Sequence, residues 1–276
     1  MVDKKDIVEG TKEEVLWWLN NRQSEKFLNA KHETFNPNPF LLPLIASLHG
    51  LESVDEMGAV LLAGHLVSGH NTGFGKLFDE KLLPKVFGTS KLDKTYRSNT
   101  PPFSQSAFND IDHVVHRKGY DDLLSLKASK WTINLGGAKD LNRSFEQIRL
   151  HHIRPYPGKY GEIAVGVLYG QDLTDKYQIL RGETQRQRDK HDVADLTDTV
   201  NVYSGKAFWT WLNAGESHTQ DWIMEGVLAA ASEFSDSNRQ KMLIRDLVDN
   251  SESLSSLRGV DTAGFQWNQM LKDING

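Results

Sequence analysis

The middle of the chain sets short apolar runs around one helical segment, and that order restricts the fold more than any single motif does. The runs with strand character are DHVVH at 112–116, LLSLKA at 123–128, IAVGVLYG at 163–170, YQIL at 177–180 and VNVY at 200–203. Between the second and third lies a helical candidate, roughly 137–152. Two strands, a helix and three further strands predict an α/β core with a central mixed sheet flanked by helices.

Helical signals surround this core. Thr11 to Glu14 reads T-x-x-E, a capping box, and Val15, Trp18, Leu19 and Arg22 follow at helical spacing, which predicts a first helix to about residue 31. NPNPFLLP at 36–43 ends it. A second helical stretch runs from about Ser53 to Leu66 and a third from about Phe74 to Leu83, where Pro84 interferes. From Lys206 onward the pattern is again helical: Trp222, Ile223, Gly226, Val227 and Ala230 form a stripe, and SESLSS at 251–256 sets off a final helix. The expected division is an N-terminal helical region over residues 1–66, a core over residues 67–205 and a C-terminal helical region over residues 206–276. The two helical ends pack together in this reading and offer a dimer interface. The plainer alternative is that Trp17, Trp18 and Trp222 complete the monomer's own core.

The 276 residues are enough to bury a sizeable core without staples. The absence of cysteine excludes disulfides, thiolate metal sites, iron–sulfur clusters and a cysteine nucleophile, and suits a reducing compartment. MVDKKDIVEG has no apolar signal core, and no run approaches the roughly 18 apolar residues of a membrane span. A cytoplasmic protein with no membrane partner is expected. The net charge of -5 argues against indiscriminate coating of nucleic acid, yet leaves room for a local basic groove.

Several familiar motifs fail on inspection. In GHNTGFGK, Gly69 and Gly75 are six apart rather than five, and Leu77 stands where a phosphate loop needs Ser or Thr. There is no G-x-S-x-G elbow and no H-E-x-x-H helix. His113 with His116, and His151 with His152, lack a third ligand at suitable spacing. The hairpin says more. Alternation along LLSLKA places Ser125 and Lys127 on one face, and an antiparallel neighbour brings Asp112 beside both. An aspartate can hold Mg²⁺ and a lysine can orient a water, although two exposed residues on an ordinary hairpin would look the same. RGETQRQRDKH at 181–191 puts Arg181, Arg186, Arg188, Lys190 and His191 in a loop between strands, suited either to guanine edges and phosphates or simply to solvent.

Taken with GFGKLFDEKLLPKVFG at 73–88, KLDKTYRSNTPPF at 91–103, NDIDHVV at 109–115, LLSLKASKWT at 123–132, LTDKYQILRG at 173–182 and VYSGKAFWTWLN at 202–213, the hairpin resembles the PD-(D/E)XK nuclease superfamily. The chain is similar to type II restriction endonucleases, in particular those that cut RGGNCCY. That resemblance implies a restriction-endonuclease-like core with a helical dimerisation layer, and a homodimer closing on double-stranded DNA. It implies Mg²⁺-dependent cleavage leaving 5′-phosphate ends, at a palindrome of the GGNCC or RGGNCCY kind, with a companion DNA methyltransferase in the same system. Asp112 matches the metal-binding aspartate and Lys127 the lysine that activates water, with the Leu126 backbone as a further metal ligand. Ser125 stands where the superfamily has Asp or Glu. The helix from Phe74 offers Asp79 and Glu80, and the longer Glu80 is the expected replacement. Asp110, and Asp140 or Glu146 on the following helix, are the rivals, and Ser125 itself stays a candidate. Arg181, Arg186, Arg188 and Lys190 are the expected DNA contacts.

Overall fold

A computed structural model describes residues 1–23, 42–52, 72–127, 133–170 and 174–236, with residues 56, 60 and 64. They fall into two compact units, one of residues 1–15 and 74–232, the other of residues 16–73 and 233–276. The described residues of the second unit hold a π-helical turn, Trp18–Gln23, and helix α2 (Leu42–His49). The helical stretch expected at 53–66 and the final helix after 256 lie almost entirely outside the described residues.

The first unit is built on a five-stranded mixed sheet flanked by helices, in the order β1 (Ser90–Lys91), β2 (His113–His116), β3 (Asp121–Lys127), β4 (Tyr160–Val167), β5 (Val200–Ser204). β1, β2 and β3 are antiparallel neighbours, whereas β3, β4 and β5 run parallel. Parallel neighbours need crossovers. The first is α5 (Leu135–Ile148), which the sequence places correctly; the second carries α6 (Asp175–Arg181) and α7 (Gln185–His191). Asn134 caps α5 by accepting the Gly137 N–H at 2.7 Å, and Ala138, Leu141, Phe145 and Ile148 recur at helical spacing to bury one face.

That face covers Val114, Leu123, Ile163, Val165 and Val167. The opposite face of the sheet, with Val115, Leu124, Leu126 and Ala164, is covered by Phe78, Leu82 and Leu83 and by α8 (Lys206–Leu212) through Phe208, Trp209 and Leu212. Burial on both faces explains why β3 and β4 read as continuous apolar runs rather than alternating ones. Gly166 admits α8 closely: a Cβ there would stand 2.4 Å from the Phe208 ring and 2.9 Å from Leu124.

Four expectations need correction. YQIL is not a strand but the body of α6, closed by Gly182 in the left-handed region at φ 62°; a four-residue apolar run fits a buried helix turn as well as a strand. RGETQRQRDKH is not a loop: its second half is α7, started by a reciprocal capping box between Thr184 and Gln187. α1 (Lys4–Trp17) begins before Thr11, with the Asp3 carboxylate accepting the Asp6 N–H at 2.9 Å, so Thr11 and Glu14 are buried mid-helix residues. Pro84 does not end its helix. Residues 72–77 run into a π-helical turn, Phe78–Leu82, and on into α3 (Leu83–Phe87). The wider turn, with Leu83 N–H bonded to Phe78 C=O, relieves the clash a proline makes inside a regular helix. α9 (Thr219–Asp236) crosses α1 closely, since a Cβ at Gly226 would lie 2.7 Å from the Val8 carbonyl and the Thr11 side chain.

Candidate active site

Asp112 enters β2 under tight backbone control. Its N–H donates to Leu124 C=O at 2.7 Å and its C=O accepts from Leu92 N–H at 2.8 Å. Its carboxylate Oδ2 accepts the Leu126 N–H at 2.6 Å, which aims the side chain at the end of β3 that carries Lys127. Burial pushes the Asp112 carboxyl above its usual range, and the Asp79 charge adds to this; the Leu126 N–H, the Lys127 ammonium and His113 pull the other way. Asp112 and Lys127 therefore sense each other, although fifteen residues separate them.

Ser125 is fully buried, and its Oγ has no hydrogen-bond partner among the described residues. The position where the resemblance calls for an acid thus holds an unsatisfied hydroxyl. Glu80 is exposed on the π-helical turn. Its neighbour Asp79 turns inward and takes His113 Nε2 at 2.9 Å on one oxygen and Lys91 Nζ at 2.5 Å on the other. Burial works to raise the Asp79 pKa, but the bonds and charges of His113 and Lys91 outweigh it and hold the carboxyl below its usual range. The His113 ring is fully buried, and its Nδ1 meets Thr89 Oγ1 at 3.0 Å. Thr89, His113, Asp79 and Lys91 thereby pin the π-helical turn to the antiparallel edge of the sheet. The sequence names His113 and Asp79 separately; nothing in their spacing pairs them.

Two of the rival acids have partners of their own. Asp110 accepts Ser144 Oγ of α5 at 2.8 Å, and Asp140 is an exposed partner of Arg143 at 3.6 Å. Glu146 is half-buried on the same helix. Of the expected DNA contacts, two are committed internally. Arg181 pairs with Glu183 at 2.9 Å, and Arg188 donates to Gly182 C=O at 2.7 Å, to Gln185 at 2.8 Å and to Asp195 at 3.1 Å. Arg186 and Lys190 are exposed on α7 at i, i+4 spacing, on one face of the helix.

Among the described residues, no group of three or more His, Asp or Glu side chains converges as a ready cation cage. The donor chemistry at Asp112 is that of a hard cation. Mg²⁺ takes one or two carboxylates, keeps several waters and shares substrate phosphate oxygens, so a single oriented carboxylate suits it and a four-ligand zinc site does not fit here. Burial disfavours the charged form of this carboxyl, so a cation held there would have to offset that cost.

A cleft of about 690 Å³ opens at the other end of the sheet, among Arg117, Tyr120, Asp122, Tyr160, Glu162 and Trp211. Its charges are spent on the fold. Arg117 holds Asp122 at 2.8 Å and the Trp211 and Leu212 carbonyls at 2.9 Å, while Glu162 takes donors from Asn201, Tyr203 and Trp211. This is a brace joining β3, β4 and β5 to α8. No helix of the described residues is long and apolar enough to cross a membrane. Compared with known protein families and with curated proteins, the sequence matches none.

Proposed function

We propose that this chain is a type II restriction endonuclease, a Mg²⁺-dependent, site-specific hydrolase of double-stranded DNA that leaves 5′-phosphate ends. The observation that carries the reading is a buried Asp112 carboxylate bonded to the Leu126 N–H, within electrostatic reach of Lys127 at one end of the β2–β3 hairpin. Asp112 would hold the cation, with the Leu126 backbone and Glu80 as the further ligands. Mg²⁺ bound there supplies positive charge against the phosphate oxygens as negative charge builds in the transition state. Lys127 orients the attacking water in line with the scissile bond. Arg186 and Lys190 on α7 are the protein's contacts to the DNA backbone in this reading, because Arg181 and Arg188 are held by their own neighbours.

A palindromic target of the GGNCC or RGGNCCY kind calls for a homodimer, since two-fold site symmetry is met by two-fold protein symmetry. The protein would work in the cytoplasm beside a methyltransferase that protects the host's own sites. The buried Ser125 favours one rival, a DNA-binding protein on the same fold that does not cut. Incubating the protein with phage DNA, with and without Mg²⁺, separates the readings. Discrete fragments only with Mg²⁺ support the proposal. A smear indicates a nuclease without sequence preference, and intact DNA with shifted mobility indicates the non-cutting binder.

A further inference from the structure

KLDKTYRSNT, residues 91–100, is a stretch of the resemblance to which no catalytic role has been attached. It forms α4 (Lys94–Asn99), capped by Asp93, whose carboxylate accepts the Tyr96 N–H at 2.7 Å. The helix presents Arg97 to three backbone carbonyls at once. Nε donates to Leu92 C=O at 2.7 Å, Nη1 to Phe108 C=O at 2.6 Å and Nη2 to Ile111 C=O at 2.6 Å. These carbonyls belong to the segment after β1, to the 3₁₀ turn Ser106–Asp110 and to the residue just before Asp112. Leu92 in turn donates its N–H to the Asp112 carbonyl. A ring of bonds therefore runs from Arg97 through Leu92 to Asp112 and back through Ile111.

We propose that Arg97 is the positioning residue for Asp112: its planar guanidinium holds the peptide before the aspartate directly and the one after it through Leu92, and so sets where the carboxylate stands relative to Leu126 and Lys127. The proposal rests on the nuclease reading for its kinetic consequence. Only arginine offers several donors in a rigid fork; a lysine ammonium is a single point and cannot span carbonyls on three segments. The choice of partners matters as well. Among the described residues the guanidinium bonds three neutral carbonyls and no carboxylate, and its charge faces Asp112 and Asp110. Without it, the 111–112 peptide can rotate and the carboxylate drifts. A misplacement of about 1 Å costs on the order of a hundredfold in rate.

The test uses the full chain and two variants, Arg97→Ala and Arg97→Lys. The expected result is single-turnover cleavage slower by about a hundredfold in both, with DNA affinity within about threefold of wild type. Millimolar methylguanidinium should restore much of the rate to Arg97→Ala, and methylammonium at equal ionic strength should not. The second readout needs no activity: the Leu126 amide, bonded to Asp112 Oδ2, should lose hydrogen-exchange protection in both variants while the Val165 amide on the neighbouring strand keeps it. Wild-type cleavage by Arg97→Lys, unchanged Leu126 protection, or a rate loss that follows global unfolding and resists methylguanidinium would each overturn the proposal. If the wild-type protein cuts no DNA, the nuclease reading fails by itself, and Leu126 exchange alone decides the role of Arg97.

Discussion

Replacing Ser125 by alanine probes the site where this chain departs from its expected pattern. The side chain is fully buried in β3, opposite Val165 of β4, and its Oγ makes no hydrogen bond among the described residues. A buried hydroxyl without a partner costs about 1–3 kcal/mol of lost hydration. Removing one oxygen leaves a void of atomic size, which costs a few tenths of a kcal/mol at about 24 cal/mol per Å³. Ser125→Ala should therefore stabilise the fold by about 1 kcal/mol, or roughly 2–4 °C in Tm for a domain of this size. Urea and thermal unfolding without Mg²⁺ measure the gain. Cleavage by the variant should match wild type, because the hydroxyl makes no hydrogen bond to any group of the site among the described residues. A loss of stability of about 1 kcal/mol or more would show that the hydroxyl has a partner after all. A rate falling about tenfold or more, about 1.4 kcal/mol, would instead place Ser125 within the chemistry.

Other variants test separate features of the account. Because burial raises the Asp112 pKa above its usual 3.8, the folded state loses stability as pH rises from that value through the raised one. Asp112→Asn, which can still accept the Leu126 N–H, should thus be more stable than wild type at neutral pH, with the gain gone below about pH 4, while cleavage is lost; equal urea midpoints at neutral pH would contradict this. Gly166→Ala drives a Cβ into the Phe208 ring and Leu124 and should cost about 1–3 kcal/mol by unfolding. Arg186→Ala and Lys190→Ala should weaken binding to all DNA sequences alike and each lower the salt slope by about 1, whereas Arg188→Ala should reduce stability more than binding. A titration of affinity against salt separates the two behaviours.

The elements of the fold that were legible in the sequence are those where burial acts on a whole strand or helix. β2, β3, β4 and β5 carry apolar runs, and α5 repeats its buried residues at helical spacing, so each announces its type. β1 is only two residues long and has no pattern to read. α7 buries none of its residues, so only its capping box marks it as a helix. YQIL is too short for periodicity to decide, and Thr174 and Gly182 at its ends were the better guide. At the candidate site, strand alternation anticipates Asp112 and Lys127 at one end of the hairpin. The inward turn of Asp79 toward His113 and Lys91 depends on a π-helical turn that shifts the helix phase, which no residue spacing encodes. Arg97 is invisible for another reason: its partners are backbone carbonyls, present in every residue and set only by tertiary structure.

In the proposed reading, Asp112 and Lys127 form a hydrolytic centre rather than an ordinary hairpin. Single-turnover cleavage of duplex DNA in Mg²⁺ by wild type and by Lys127→Ala, with binding to the same duplex measured in parallel, tests it most directly. The variant should lose cleavage by about a thousandfold or more while its affinity stays within about tenfold. Cleavage by Lys127→Ala at the wild-type rate would contradict it and remove the hairpin from the chemistry.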